Sequence, residues 1–448
     1  MKINVVCDFL RLNEYQKRFD IAEKAVYLSS HPKLGNVLFS PQIIARDLGC
    51  DFDPISLDLC EIAAYVYLAD KSVARGEFDR WARKLSFLIP VREPAKWNSV
   101  KGLLRNTIAT LTGDTLQFHF VKRKEDSERN KESRVPGRNK NKVADCVSLF
   151  SGGLDSFAGA VFLLEQGRSP IFVSHYVNAV LKNLQSNLIR HLQAKPHYAF
   201  EHLQYRLTSK RVSDPAFAIK SRESSHRARS FLFMSFAAAI GALRELDDLY
   251  ICENGVLALN VPISDARKGS RSTRHAHPLY LDYFRELIGK LYEREFSVQN
   301  PFLFWTKSKE AAILKEKGFS SAIRETVSCW GYPNQTIRFK NSNHCGRCIP
   351  CVVRRISVLA SGLQTCDDLY AVDVLTLDGS NHQNQSRNFS DLFYFCDFIK
   401  SHTNDQLIYR YPEFLMIEAH KGTVSGDKIA EIISVYRQFA DEVLAVAR

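Results

Sequence analysis

The sequence predicts an α/β protein built on a doubly wound parallel sheet, and three observations carry that expectation. From residue 145 onward, short apolar runs alternate with helical stretches. A Gly-Gly turn joins the first of those runs directly to the first helix. The segments before and after this region lack that alternation. At roughly 150 residues per domain, 448 residues accommodate two or three domains, each with its own core. A hydrophobic content of 45% and a charged content of 25% are ordinary for a globular chain.

The first 121 residues mix helical spacing, in DLCEIAAYVYLADKSVAR and WNSVKGLLRNTIATLTG, with the strand-like alternation of TLQFHF. They carry no chemical motif and are expected to form an accessory α+β domain. Residues 122–142 hold nine basic and four acidic residues and almost nothing apolar, so they read as a basic linker or exposed loop. An RNA-binding arm is the other reading of that stretch. The α/β core is expected over 143–328. Its strands are DCVSLF, PIFVSHY, HYAFEHLQYRL and DLYICENG, separated by the helices FAGAVFLLEQG, KNLQSNLIRHLQAK and SHRARSFLFMSFAAAIGALREL. Strands separated by helices of that length pair in parallel and bind ligands at their C-terminal ends. A four-cysteine element follows at 329–363, then a mostly helical region at 364–448. No internal repeat is present.

The net charge of +12 suits polyanionic ligands such as nucleotides, pyrophosphate or RNA. No run approaches the ~20 apolar residues of a membrane span. The N-terminus reaches charged residues too soon for a signal peptide, so a cytoplasmic protein is expected. Of eleven cysteines, most are scattered and read as reduced, buried small hydrophobes.

Ser151–Ser156 reads SGGLDS and sits between an apolar strand and an apolar helix. Gly152 and Gly153 allow a tight turn and bring backbone close to a ligand's oxygens. The helix beginning near Leu154 aims its free N–H groups and positive dipole end at a bound anion. Ser151 and Ser156 can donate to phosphate, and Asp155 can hold Mg²⁺ or orient the turn. The GK[ST] of a Walker A loop is missing, which disfavours P-loop kinases and GTPases.

His344–Arg355 reads HCGRCIPCVVRR, placing Cys345, Cys348 and Cys351 at C-x2-C-x2-C spacing, with Cys329 sixteen residues before Cys345. Four thiolates so spaced can close a tetrahedral Zn²⁺ site, and such closed sites are structural. An iron–sulfur cluster or a redox-active cysteine pair uses a similar residue set. His344 can replace Cys329 as a ligand. Arg347, Arg354 and Arg355 can neutralise the thiolate charge.

The SGG-x-DS loop resembles the signature of PP-loop ATP pyrophosphatases, whose fold is that of the adenine nucleotide alpha hydrolases. With the downstream Cys…Cys-Gly-x-Cys-x-x-Cys pattern, residues 145–363 resemble the QueC (7-cyano-7-deazaguanine synthase) family. The resemblance implies that ATP is cleaved between its α and β phosphates to adenylate the carboxylate of a 7-deazaguanine, with Mg²⁺ and zinc present. Ammonia then gives an amide, and a second ATP dehydrates it to the nitrile. The long termini are similar to those of QueC-like proteins of bacterial anti-phage operons, which implies a partner protein. The family also implies a homodimer. This sequence departs from the family at Tyr176-Val177-Asn178, at Arg229-Ser230 and in the pocket, where residues 253–278 replace the family's Asp-Tyr and Pro-Asp elements.

That replaced segment is the expected substrate region, because it follows a strand and falls beside the loop. Glu253 and Asn254 are candidates to read a guanine-like edge or hold Mg²⁺. Arg267, Lys268, Arg271, Arg274 and His275 are candidates for phosphate or carboxylate. Arg229, with Arg227, is a candidate phosphate clamp. His275 and His277 fit packing or capping better than catalysis. The expected function is an ATP-dependent ligase that passes the activated acyl group to ammonia or to a partner protein's amine. An RNA-base-modifying PP-loop enzyme and a catalytically idle scaffold are the alternatives.

Overall fold

The computed structural model describes residues 2–8, 12–17, 19, 25–75, 82–124, 143–220, 223, 225–263, 274–332, 342–373, 375, 383–417 and 426–446. Two parallel sheets organise the chain. The N-terminal sheet contains β1 (Lys2–Cys7), β2 (Ala25–Leu28), β3 (Lys84–Val91) and β4 (Thr115–Lys122), in the order β2-β1-β3-β4 with every pair parallel. The expectation of an α+β domain is therefore corrected to α/β. The alternation of TLQFHF arises because β4 is an edge strand with Leu116, Phe118 and Phe120 buried and the residues between them exposed. Period-two patterning reports a half-buried strand and says nothing of its direction.

Helix α1 (Pro54–Ser72) opens with Asp53 accepting from the Ser56 N–H and Pro54 in the first turn. It is buried from Ser56 to Asp70 on every face, as a helix enclosed between layers must be. Helix α2 (Lys101–Thr112) ends at Gly113, whose φ of 73° is a left-handed cap.

The central sheet contains β5 (Cys146–Leu149), β6 (Pro170–Tyr176), β7 (Glu201–Arg206), β8 (Asp248–Tyr250) and β9 (Ser297–Gln299). Its order is β9-β8-β5-β6-β7, all parallel. The chain winds outward from β5 in one direction and returns to its other side, which makes the end of β5 the topological switch point. Helices α3 (Leu154–Glu165), α4 (Ala179–Gln193), α5 (Arg229–Leu243), α6 (Pro278–Tyr292) and α7 (Lys307–Glu316) flank this sheet. Helix α5 lies between the sheet and α1, while α6 packs on α2. One continuous core thus runs from β5–β8 through α5 and α6 into the N-terminal region. A two-residue antiparallel ladder, Val37–Leu38 with Thr208–Ser209, also joins the two regions.

Helices α8 (Ile349–Ala360), α9 (Gln383–Ser401) and α10 (Gly426–Val446) enclose a separate core with the short helix Gly255–Leu259. The basic stretch from 125 to 142 lies outside the described residues. Its expected first members do not: Lys122 closes β4, and Arg123 is buried against Glu61. Among the described residues no helix is long and apolar enough to cross a membrane.

Candidate active site and metal centre

The loop after β5 turns at Gly152, whose φ is +88°. That left-handed backbone favours glycine, and a side chain there would also have to displace the tip of Leu184, whose Cδ2 would lie 2.4 Å from its Cβ. Gly153 precedes α3 and no side chain caps its first turn, which leaves the N–H groups of that turn available to an anion. Leu154 is fully buried and anchors the helix start. Ser156 Oγ accepts from the Ser151 N–H at 3.2 Å, meets Ser151 Oγ at 3.0 Å and donates to the Gly153 carbonyl at 3.0 Å. The loop is therefore held in shape by its own serines.

Asp155 faces a buried lysine that the sequence does not announce. Lys307 Nζ pairs with Asp155 Oδ2, and the Asn254 amide donates to Oδ1 at 2.8 Å. Burial would raise the Asp155 pKa, but Lys307 and these hydrogen bonds hold it well below the usual carboxylate range. Burial alone would lower Lys307, and Asp155, Glu310 and Glu253 keep it raised. Glu310 lies 3.8 Å from Lys307 Nζ and is fully buried, which pushes its carboxyl well above the ordinary value. Lys307 thus sits between an ionised Asp155 and a Glu310 carboxyl that burial drives towards its neutral form. A magnesium ion on Asp155 would have to share that carboxylate with Lys307.

A cavity of about 410 Å³ opens at the C-terminal ends of β5 and β8. Ser151, Asp155, Ser156, Arg229, Glu253 and Arg274 all line it, joined by His226, Arg227, His275 and Trp330. Glu253 Oε2 lies 2.5 Å from His275 Nε2, so this histidine belongs to the cavity and is oriented by a carboxylate. Asn254 is fully buried and is absent from the cavity wall. Its side chain caps the Gly255–Leu259 helix and holds Asp155, so the expected contact with a substrate edge is replaced by support of the loop. His277 caps α6 through Nδ1. Arg267, Lys268 and Arg271 lie outside the described residues.

The Sγ atoms of Cys329, Cys345, Cys348 and Cys351 all lie within 4.8 Å of one another, with Cys345 and Cys351 at 3.9 Å. A tetrahedral zinc with Zn–S of ~2.3 Å needs sulfurs ~3.8 Å apart, and four thiolates match its donor preference. The four residues can therefore hold a structural zinc ion. His344 is not a member of that four-sulfur group, and its Nε2 accepts from the Ser328 N–H at 3.3 Å. Arg354 and Arg355 spend their charge on Asp367 and Asp373, which corrects their expected role beside the thiolates. Gly346, at φ +74°, passes so close to Val372 that a Cβ would lie 1.6 Å from its carbonyl oxygen. The same element reaches the loop: the Val327 N–H donates to the Gly152 carbonyl at 3.1 Å, and Trp330, next to Cys329, lines the cavity.

Lys307, Glu310 and the Glu253–His275 pairing were not legible as site features in the sequence. One local signal existed for Lys307. A lysine in the first turn of a helix opposes the positive end of the dipole unless a carboxylate pairs with it.

A glycine-turned loop at the switch point of a parallel sheet, opening onto a cavity lined with arginines, defines a nucleotide-binding PP-loop domain. The family model described as "Queuosine biosynthesis protein QueC" matches residues 145–361. That span, just under half of the chain, is thus a QueC-like, ATP-utilising PP-loop domain. No curated protein matches the chain.

Proposed function

We propose that the protein is an ATP-dependent ligase that activates the carboxylate of a 7-deazaguanine-type base and passes the acyl group to an amine. The observation that carries this reading is the meeting of the SGGLDS loop, Arg229, Arg274 and the Glu253–His275 pair around one cavity. Its volume falls within the range of small-molecule sites.

In the first step a carboxylate oxygen attacks the α-phosphorus of ATP. The new P–O bond replaces the bond to pyrophosphate, which departs with its electron pair. The loop N–H groups and the start of α3 stabilise that charge. In the second step an amine nitrogen attacks the acyl carbon, the C–O bond to AMP breaks, and the nitrogen loses a proton. His275, oriented by Glu253, is placed to take that proton. Asp155 faces the cavity and is held in place by Lys307 and Asn254. Mg²⁺ would supply further charge neutralisation at the phosphates. The amine is ammonia or a partner protein's amine, in an anti-phage operon context.

Pyrophosphate release from ATP, with and without 7-carboxy-7-deazaguanine, tests the first step, with Asp155→Ala beside the wild type. Release that needs both the base and Asp155 is expected. No release by a folded, zinc-loaded protein would remove the ligase reading. Intact mass of a co-expressed partner then separates the two amines, since only a protein acceptor gains mass.

A further inference from the structure

The wall of the cavity that carries Ser225 to Ser230 is not supported by the QueC-like domain alone. The Ala228 N–H donates to Asp70 Oδ2 at 2.9 Å, at the end of α1. Arg227 Nη1 donates to the Thr112 carbonyl at 3.2 Å, at the end of α2. Glu223 Oε2 accepts from the Arg75 N–H at 3.1 Å, and the Glu223 N–H donates to the Lys71 carbonyl at 3.0 Å. Glu223 Oε1 then accepts from the Ser225 N–H at 2.9 Å. Between these anchors His226 adopts φ +43°, an unfavourable value for a residue with a side chain, so its surroundings must impose it.

Behind the anchors lies a buried ionic cluster. Arg75 and Arg83 both pair with Asp70 and Asp114, and all four side chains are at most 5% exposed. Arg227 completes it, its guanidinium pushed down to about 10 by burial and by the neighbouring Arg75. Among these buried side chains three arginines face two aspartates, with Glu223 at the solvent edge. A region tied this rigidly to a cavity wall, and locally rich in positive charge, favours an anion on the cavity side.

We propose that the N-terminal region is the fixed back wall of the cavity, holding Arg227 and Arg229 where they grip an anionic group of substrate, phosphate or carboxylate. This rests on the ligase reading above. Asp70, Asp114 and Glu223 are positioning residues that act through the 225–230 segment.

The test uses the full chain and the variant Glu223→Ala, whose side chain sits at the edge of the cluster. Asp70→Asn is the second variant, keeping an acceptor for the Ala228 N–H while deleting the charge. Amide exchange across 225–230, without ligand, should quicken in both. Titration with ATP and, separately, with 7-carboxy-7-deazaguanine should weaken for one ligand by about 5- to 30-fold, and that ligand identifies the anion. Arg229→Ala should weaken the same ligand, with little further loss when combined with Glu223→Ala. Unchanged exchange, or unchanged affinity for both ligands while Arg229→Ala weakens one, would overturn the wall. Wild-type protein that binds neither ligand would instead sink the ligase reading, and the gripped anion with it.

Discussion

His275 and Lys307 serve the site differently, and single substitutions separate them. His275→Ala should leave pyrophosphate release intact while slowing product formation by about 10²- to 10⁴-fold, as loss of a general base does. Equal loss of both steps, measured in parallel assays, would assign His275 to binding instead. Lys307 is 1% exposed beside Asp155 and Glu310, so Lys307→Ala strands a buried carboxylate. It should cost about 3–5 kcal/mol of stability by chemical denaturation. Glu310→Gln should be close to neutral in the same measurement, because burial favours an uncharged Glu310 and glutamine is its uncharged isostere. A large loss from Glu310→Gln would mean that Glu310 is ionised. At this scale the SGGLDS turn was readable because its causes are local: a left-handed glycine, serines bonding within the loop, and a helix start. Lys307 meets Asp155 across 152 positions of sequence, and no local pattern encodes such a pairing.

The four-cysteine segment links metal and cavity through few residues. Val327 and Trp330 flank Cys329, one bonding to the PP-loop and the other facing the cavity. Chelation of zinc should therefore lower ATP affinity as well as stability, in step with metal content measured by mass spectrometry. Gly346→Ala should act alike, since its Cβ has no room beside the Val372 carbonyl. Full zinc occupancy with native stability in Gly346→Ala would contradict this. On the far side, α10 supports the start of α7. Glu442 accepts from Thr306 and Ser308 at 2.7 and 2.6 Å, on either side of Lys307. The cysteine element was legible because thiolate spacing around a turn is itself the geometry. The parallel N-terminal sheet was not, because a half-buried edge strand looks the same whichever way its neighbour runs.

Across the molecule, buried neutral histidines set an acid limit. Burial pushes His175 and His202 down to about 4 and His277 to about 3. Their folded values lie below the unfolded one, so their contribution is complete above about pH 6.5 and is lost as pH falls towards 4. The melting temperature should fall over that window, and His277→Asn should flatten part of the slope if its neutral form is required. The parallel α/β sheet that lies between the regions added before and after it was readable from the alternation of short apolar runs with helical stretches. The way both additions reach the cavity was not, because Asp70 and Glu442 bond to residues 158 and 134 positions away.

Helix α1 is enclosed on all sides, and the surface that covers much of it is α5. During synthesis on the ribosome, Arg229, where that cover begins, emerges 157 positions after Ser72. At ~5–20 residues per second, roughly 8–30 s pass with an apolar helix uncovered. The nascent chain should accordingly stay protease-sensitive at α1, and open to chaperones that bind apolar segments, until residues beyond 243 have left the exit tunnel. Arrested chains of increasing length would show protection arriving in one step at that point.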